Sequence, residues 1–233
     1  MMEFFHLTPL EKDALGLSIR VSFCAVGGSL PLGIFLAWVL ARKRFPGKNL
    51  LDGLIHLPLV LPPVVMGYLL LVNLGRKGVV GAFLYEKLGI VLAFNWKGAA
   101  VAAAVMAFPL LLRAVRLSIE SVDRGLEDAA RTLGAGPLRI FFTITLPLIV
   151  PGIITGAILA FARSIGEFGA TIVFVSNIKG QTQTLPLALY TLTQSPGGDA
   201  AAFRLCLIAV ALAMTALLTS ELLARKFASH IQG

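Results

Sequence analysis

The chain has 233 residues, of which 57% are hydrophobic and only 14% are charged, and its mean hydropathy is +0.87. A soluble domain of this size does not expose so much apolar surface to water, so the composition excludes a soluble protein and predicts an integral membrane protein. The formal net charge of +8 does not indicate a nucleic-acid partner, because the basic residues flank apolar runs and form no stripe with interleaved aromatic residues.

The first predicted span covers about residues 15–41, after a mixed lead-in that we expect to be exposed at the membrane surface. The basic run Arg42-Lys43-Arg44 ends this span, and a short connector follows it. Short loops rich in Lys and Arg lie on the cytoplasmic side of a membrane. We therefore expect the N-terminus outside and this connector in the cytoplasm.

Four further apolar runs predict spans at about residues 51–74, 98–112, 148–175 and 202–223. At ~1.5 Å per residue the fourth would be about 42 Å long, so it must tilt or break within a ~30 Å hydrocarbon core. The apolar stretch at residues 83–94 is too short to cross. The predicted fold is all-α: one polytopic membrane domain over residues 1–233, with about five transmembrane helices and a cytoplasmic C-terminus.

Prolines interrupt the second span at Pro58, Pro62 and Pro63. Proline removes a backbone donor and clashes with the preceding helical turn, so this span cannot be a straight helix. Backbone carbonyls freed in the membrane must face protein or a water-filled cavity. Pro62 and Pro63 are therefore candidates for a gate or pathway, and a kink needed only for packing explains the pattern equally well.

The fourth span carries Arg163, Glu167 and Thr171 at successive i, i+4 positions, which would place them on one helix face. Ionisable residues inside a span mark a pathway or an interior pair. For Arg163 and Glu167 we favour an intramembrane ion pair, since an unpaired acid would repel an anionic solute. For Ser164 and Thr171 we favour a position lining the pathway.

The remaining chemistry-bearing residues give no enzyme signature. Cys24 and Cys206 lie within apolar runs and are predicted to be buried thiols. The histidines are scattered, and no Gly-rich loop followed by Lys-Ser or Lys-Thr is present to cradle phosphates. We expect no catalytic residue, metal or cofactor. The last outer loop, residues 176–200, carries neutral polar groups that suit either docking of a binding protein or, more simply, solvation.

One polar island, at residues 113–147, interrupts the apolar pattern. Glu127 and Asp128 stand in the first turn of a short helix pattern, Arg131 follows one turn later, and Gly134 stops the helix. The next apolar run returns to the membrane. This order predicts a short cytoplasmic helix between two spans, which suits docking of a partner.

The island resembles the Glu-Ala-Ala loop by which permeases of ABC importers contact their ATPase subunits. The match consists of Asp128-Ala129-Ala130, three residues, Gly134, nine residues, and Ile144-Thr145-Leu146-Pro147. The resemblance implies that residues 127–130 and Gly134 couple the permease to the ATPase, the first four being Glu127, Asp128, Ala129 and Ala130. Asp128 stands where the family usually has Glu, so either it or the adjacent Glu127 could make the contact.

Two further segments, residues 56–68 and 161–171, resemble the molybdate-type permeases, and the likeness covers about residues 18–221. It implies an inner-membrane permease subunit of an ATP-driven molybdate importer that works by alternating access. The implied partners are a second copy of the chain, two cytoplasmic ABC ATPase subunits that hydrolyse the ATP, and an extracytoplasmic oxyanion-binding protein. The alternatives are a sulfate, thiosulfate or tungstate permease of the same family, and, with less support because no inverted repeat is present, an ion-gradient-driven transporter.

Overall fold

The computed structural model describes the backbone of residues 7–231 and the side chains up to residue 223, and within these residues the regular structure is helical, with no strand. The helices are α1 (Pro9–Arg42), α2 (Lys48–Val60), α3 (Pro63–Leu74), α4 (Val79–Leu88), α5 (Trp96–Ser121), α6 (Arg124–Thr132), α7 (Pro137–Ile140), α8 (Leu146–Ile165), α9 (Gly169–Val175), α10 (Leu185–Thr193) and α11 (Asp199–Ile231). A π-helical segment (Phe141–Thr145) joins α7 to α8. The predicted all-α class is confirmed.

Four of the described segments are long and apolar enough to cross a membrane: Pro9–Arg42, Trp96–Ser121, Pro137–Ile165 and Asp199–Leu223. The pair α2–α3 meets the same criteria only when taken together, and it is bent by 116°. The break lies at Leu61 and Pro62, whose ψ angles of 143° and 134° leave the helical region. The prediction of about five membrane helices is confirmed, with the second one sharply broken at its prolines.

The first helix begins earlier than the sequence pattern indicated. Thr8 and Glu11 form a capping box, in which each side chain accepts a hydrogen bond from the backbone N–H of the other. The Glu11 carboxylate is fully enclosed and lies 2.7 Å from Arg204 Nη2, at the start of α11. The expected lead-in is therefore part of the first helix from Pro9 onward: Glu11 and Ala14 are buried, contrary to the prediction, whereas Pro9, Lys12 and Asp13 are exposed as predicted. Residues 1–6 of that lead-in lie outside the described residues.

Helix α5 is the central span, packed between α1 and α8 and more buried than the other three long spans. Its Ala-rich first half allows close approach, and Ala99 and Ala102 are completely buried. On α8, a Cβ added to Gly152 would lie 2.2 Å from the Cβ of Ser118. Small residues thus set the distance between α5 and α8.

The predicted fourth span, residues 148–175, is not one helix. Helix α8 ends at Ile165, Gly166 caps it, and α9 begins at Gly169. The placement of Arg163, Glu167 and Thr171 on a single helix face is therefore wrong. The break agrees with the excess length noted in the sequence, because one continuous helix over these residues would be longer than the hydrocarbon core.

The segment 176–200, predicted as an outer loop, is folded rather than simply solvated. It contains α10, which packs against α1 and α11, and the backbone N–H of Leu185 donates to Ser18 Oγ at 2.6 Å. Thr182, Gln183 and Thr184 are buried. The preference for a solvated loop is wrong for this part, because neutral polar side chains can satisfy buried backbone groups.

The two cysteines are free and exposed on the helical bundle. The predicted burial of Cys24 and Cys206 is therefore wrong. An apolar run in a membrane helix needs no protein cover, since lipid tails are as apolar as a protein core.

Candidate coupling site and candidate gate

The predicted short helix between two spans is present as α6, between α5 and α7. Asp123 caps its N-terminus by accepting from the backbone N–H of Gly125 at 2.8 Å. At its C-terminus Gly134 has a φ of +81°. The N–H groups of Gly134 and Ala135 donate to the carbonyls of Arg131 (2.9 Å) and Ala130 (3.0 Å), which is a Schellman motif. The left-handed φ explains why glycine stands at this position.

Glu127 faces the membrane bundle and is only 6% exposed. Its Oε1 lies 3.0 Å from Arg42 Nη2, at the end of α1, and accepts from Thr145 Oγ1 in the π-helical segment at 2.8 Å. Arg42 Nη2 also donates to the carbonyl of Val122 at 3.2 Å. This carboxylate therefore ties α6 to α1 and to the entry of α8.

Asp128 is exposed, as are Ala129 and Gly134, while Ala130 is half-buried. Asp128 Oδ1 pairs with Arg131 Nη1 at 2.6 Å on the same surface. Leu133 is 88% exposed at the end of this otherwise polar helix. Of the two carboxylates that the sequence left open, the structure leaves only Asp128 accessible to a partner.

The two broken spans meet at a tight crossing of α3 and α9. A Cβ added to Gly67 would lie 2.6 Å from the carbonyl oxygen of Ala170, and one added to Gly169 would lie 2.7 Å from Cβ of Pro63. Neither position can hold a larger residue without moving a backbone segment. The proline break in α2–α3 and the break between α8 and α9 are thereby held next to each other.

Glu167 lies in the break between α8 and α9, and its side chain is 2% exposed. Its Oε2 is 2.7 Å from Arg163 Nη1, and its Oε1 accepts from the backbone N–H of Ala170 at 2.8 Å. One carboxylate therefore neutralises an arginine of α8 and satisfies an N–H of the first turn of α9.

The four gate candidates divide into two pairs. Ser164 and Thr171 are buried within the packed chain, and Ser164 Oγ has no hydrogen-bond partner among the described residues. Pro62 and Pro63 are exposed. In this conformation the two prolines are open to the surroundings, whereas the two hydroxyl groups are enclosed in the bundle.

Sequence reasoning missed the partners of Glu127 and, at the α3–α9 crossing, the close approach at Gly67, whereas the sequence did indicate close approach of a helix at Gly169. Arg42 was interpreted only as an orientation signal, and no spacing rule links it to a residue 85 positions later. Gly67 lies in the segment 56–68 and Gly169 in the segment 161–171, and a glycine in an apolar helix indicates that another helix can approach closely. Among the described residues, no group of three or more His, Cys, Asp and Glu could hold a metal ion.

The chain matches the model of the binding-protein-dependent transport system inner membrane component family over residues 29–228. It belongs to this family. The chain is thus a multi-pass permease subunit of an inner-membrane transport system, in agreement with the resemblance found in its sequence.

Several curated relatives cover nearly the whole chain. The molybdenum transport system permease protein ModB of Escherichia coli K12 is 64% identical over 94% of this chain and 96% of its own length. The ModB protein of Haemophilus influenzae is 57% identical over 93% and 95%. The sulfate transport system permease protein CysW of Synechococcus elongatus is more distant, at 38% identity over 76% of this chain and 61% of its own.

Among solved structures, a bacterial ABC transporter involved in alginate import is similar to this chain with a TM-score of 0.72. The match covers 94% of this chain and 80% of that one at 19% sequence identity. At this identity the similarity shows the fold alone, which is that of an ABC importer permease.

Proposed function

We propose that this chain is the permease subunit of an ATP-driven importer that carries molybdate across the inner membrane. The observation that carries the proposal is the 64% identity, over nearly the full length of both chains, to a molybdenum transport permease. The sulfate permease relative is much less similar and shares less of the chain, so molybdate is favoured over sulfate.

The ATPase partners bind the exposed face of α6. Asp128, Ala129 and Leu133 lie on that face and supply a carboxylate, a small residue and an apolar anchor. Two ATPase subunits serve two copies of the chain, and they carry out the hydrolysis. The same arrangement places the N-terminus outside and the C-terminus in the cytoplasm, since α6 and the basic connector after α1 must share the ATPase side.

Displacement of α6 by the ATPase reaches the membrane helices through Glu127. Because this carboxylate is buried and bonded to Arg42 and Thr145, α6 cannot move without pulling the end of α1 and the start of α8. ATP binding and hydrolysis therefore switch the bundle, a single permease domain, between outward-open and inward-open forms.

The oxyanion, delivered by an extracytoplasmic binding protein, passes along the exposed proline break of α2–α3. An anion route must contain no unpaired acid, and Glu167, two residues before the Gly169 that packs on Pro63, is neutralised by Arg163. Ser164 and Thr171 are buried in this conformation, so they reach the route only when the surrounding helices shift. The second copy of the chain closes the route from the other side.

The decisive test is uptake of radiolabelled molybdate into vesicles that hold this chain with its ATPase and binding protein. We expect uptake that requires ATP and is blocked by excess tungstate but not by excess sulfate. Equal competition by sulfate would reassign the substrate, and uptake driven by an ion gradient without ATP would refute the coupling mechanism. A Gly134→Trp variant, which distorts the end of α6, should insert normally and fail to transport.

A further inference from the structure

Two cavities of opposite character adjoin at the cytoplasmic end of α1. One, of about 220 Å³, lies between α1, α6 and α7 and is lined mainly by charged residues. The other, of about 440 Å³, is a groove lined almost entirely by apolar residues of α1, α7 and the π-helical segment. The two cavities share the residues Trp38, Lys43, Pro137 and Phe141. We propose that together they bind one anionic phospholipid, with its phosphate in the polar cavity and an acyl chain in the groove.

The polar cavity has an excess of positive charge. Its lining includes the cations of Arg42, Lys43, Arg124 and Arg131 and the carboxylates of Glu127 and Asp128. The two carboxylates are already paired, Glu127 with Arg42 and Asp128 with Arg131. No carboxylate pairs with Lys43 or Arg124 among the side chains that the structure describes. Two positive charges are thus left for an anionic group.

Arg42 adds a second sign that an anion is missing. Its side chain is only 9% exposed, and its Nε is buried without a hydrogen-bond acceptor among the described residues. Buried donors are almost always satisfied, so this N–H lacks the acceptor that its burial requires. A phosphate oxygen in the adjoining cavity supplies that acceptor.

The groove supplies a site for an acyl chain. Phe35, Leu138 and Phe142 line it and are all more than half exposed, Leu138 being 75% exposed. The groove begins at Pro31, in the membrane-spanning part of α1, and ends at the residues shared with the polar cavity. A hydrocarbon chain lying along it therefore runs from the membrane interior to the charged pocket.

The shared residues place the junction at the membrane interface. Lys43 Nζ lies 5.3 Å from the centre of the Trp38 ring, and tryptophan next to basic residues is typical of the headgroup level. Inorganic phosphate or a free oxyanion has the charge for the polar cavity but leaves the groove empty. A phospholipid fits both, and it bridges α1 to the segment that follows α6. This inference does not depend on which oxyanion is transported.

The test is native mass spectrometry of the purified transporter, permease with its ATPase, in detergent micelles with defined lipids. Phosphatidylglycerol and phosphatidylcholine with identical acyl chains are compared. We expect phosphatidylglycerol to be retained in preference, and Lys43→Gln to reduce that preference about fivefold, the effect of one basic residue near a membrane surface. Arg44→Gln is the matched control, since Arg44 is the adjacent exposed cation and lines neither cavity.

Further variants and competing ligands distinguish binding of a lipid from binding of a free anion. Leu138→Gln should weaken lipid retention, while Leu50→Gln, at a similarly exposed leucine outside both cavities, should not. Glycerophosphoglycerol and inorganic phosphate should fail to displace the lipid. Displacement by either, equal retention of the two lipids, or an equal loss in Arg44→Gln would each overturn the proposal.

Discussion

The junction between α6 and α1 at Glu127 and the junction between α8 and α9 at Glu167 each bury one carboxylate against one arginine, yet they differ in how far apart the partners lie in the sequence. Glu127 bonds to Arg42, 85 residues away, and to Thr145, 18 residues away. Glu167 bonds to Arg163, four residues away, and to the N–H of Ala170, three residues away. The first carboxylate joins three elements, and the second shapes one break.

The difference distinguishes a contact that transmits movement between helices from a contact that fixes only the local backbone shape. A bond network between distant segments holds their relative positions, so that movement of one moves the others. A pair within one turn cannot do this, because both partners move together. We therefore expect changes at Glu127 to affect coupling and stability together, and changes at Glu167 to affect mainly the geometry of the break.

The largest effect is expected for Glu127→Ala, which leaves Arg42 buried without its carboxylate. Removing one partner of a buried ion pair costs about 3–5 kcal/mol. SDS-titrated unfolding of the purified transporter measures this loss. Coupling is measured in vesicles as molybdate transported per ATP hydrolysed, and it should fall in the variant.

The control is the double variant Arg42→Met with Glu127→Leu. Replacing both charges by apolar groups of similar size is often neutral, so unfolding stability should recover most of the loss. Transport per ATP should stay low, because the polar link to Thr145 is not restored. Full recovery of coupling would mean that packing alone connects α6 to the bundle.

Glu167→Ala should cost less, about 1–3 kcal/mol, from one lost ion pair and one unsatisfied N–H at the start of α9. Arg163 is partly exposed and can turn toward polar surroundings, which limits the penalty. The same unfolding measurement compares the two variants directly. A loss as large as that of Glu127→Ala would remove the distinction between the local and the long-range pair.

The contrast also explains what the sequence could and could not predict. The ion pair of Arg163 with Glu167 and the glycine at the end of α6 are local features, so spacing rules reach them. The link from Glu127 to Arg42 depends on how α1 and α6 pack, which no spacing encodes. The break at Gly166 was anticipated only as excess length, since a lone glycine in an apolar run is compatible with a continuous helix.

A substitution at the α3–α9 crossing tests whether the break in α2–α3 and the break between α8 and α9 must stay in contact. Gly67→Ala places a Cβ 2.6 Å from a backbone oxygen, and overpacking of this kind costs about 1–3 kcal/mol. Gly53→Ala in α2 is the matched control, because its Cβ meets nothing within 4 Å. We expect transport to fall in the first variant and to remain near wild type in the second. Normal transport in Gly67→Ala would show that this crossing is not part of the gate.

The smallest effect on stability is expected for Gly134→Ala, because this substitution strains only the backbone conformation. An added Cβ meets nothing within 4 Å, but a φ of +81° is unfavourable for alanine by about 1–2 kcal/mol. Gly136→Ala is the control two residues later, since Gly136 has an ordinary φ of −70° and equally open space. Gly134→Asn should behave better than Gly134→Ala, because asparagine tolerates the left-handed region.

The measurement for Gly134 is again transport per ATP together with unfolding, and it sharpens the comparison with Glu127. Strain at Gly134 changes how α6 ends on its exposed side, whereas loss of Glu127 changes how α6 is held on its buried side. If α6 is the coupling element, Gly134→Ala should lower transport per ATP while the bundle stays nearly as stable. If Gly134→Ala instead loses stability but still transports the normal amount of molybdate per ATP hydrolysed, Gly134 serves the folding of the loop. Coupling would then depend on Glu127 and not on Gly134.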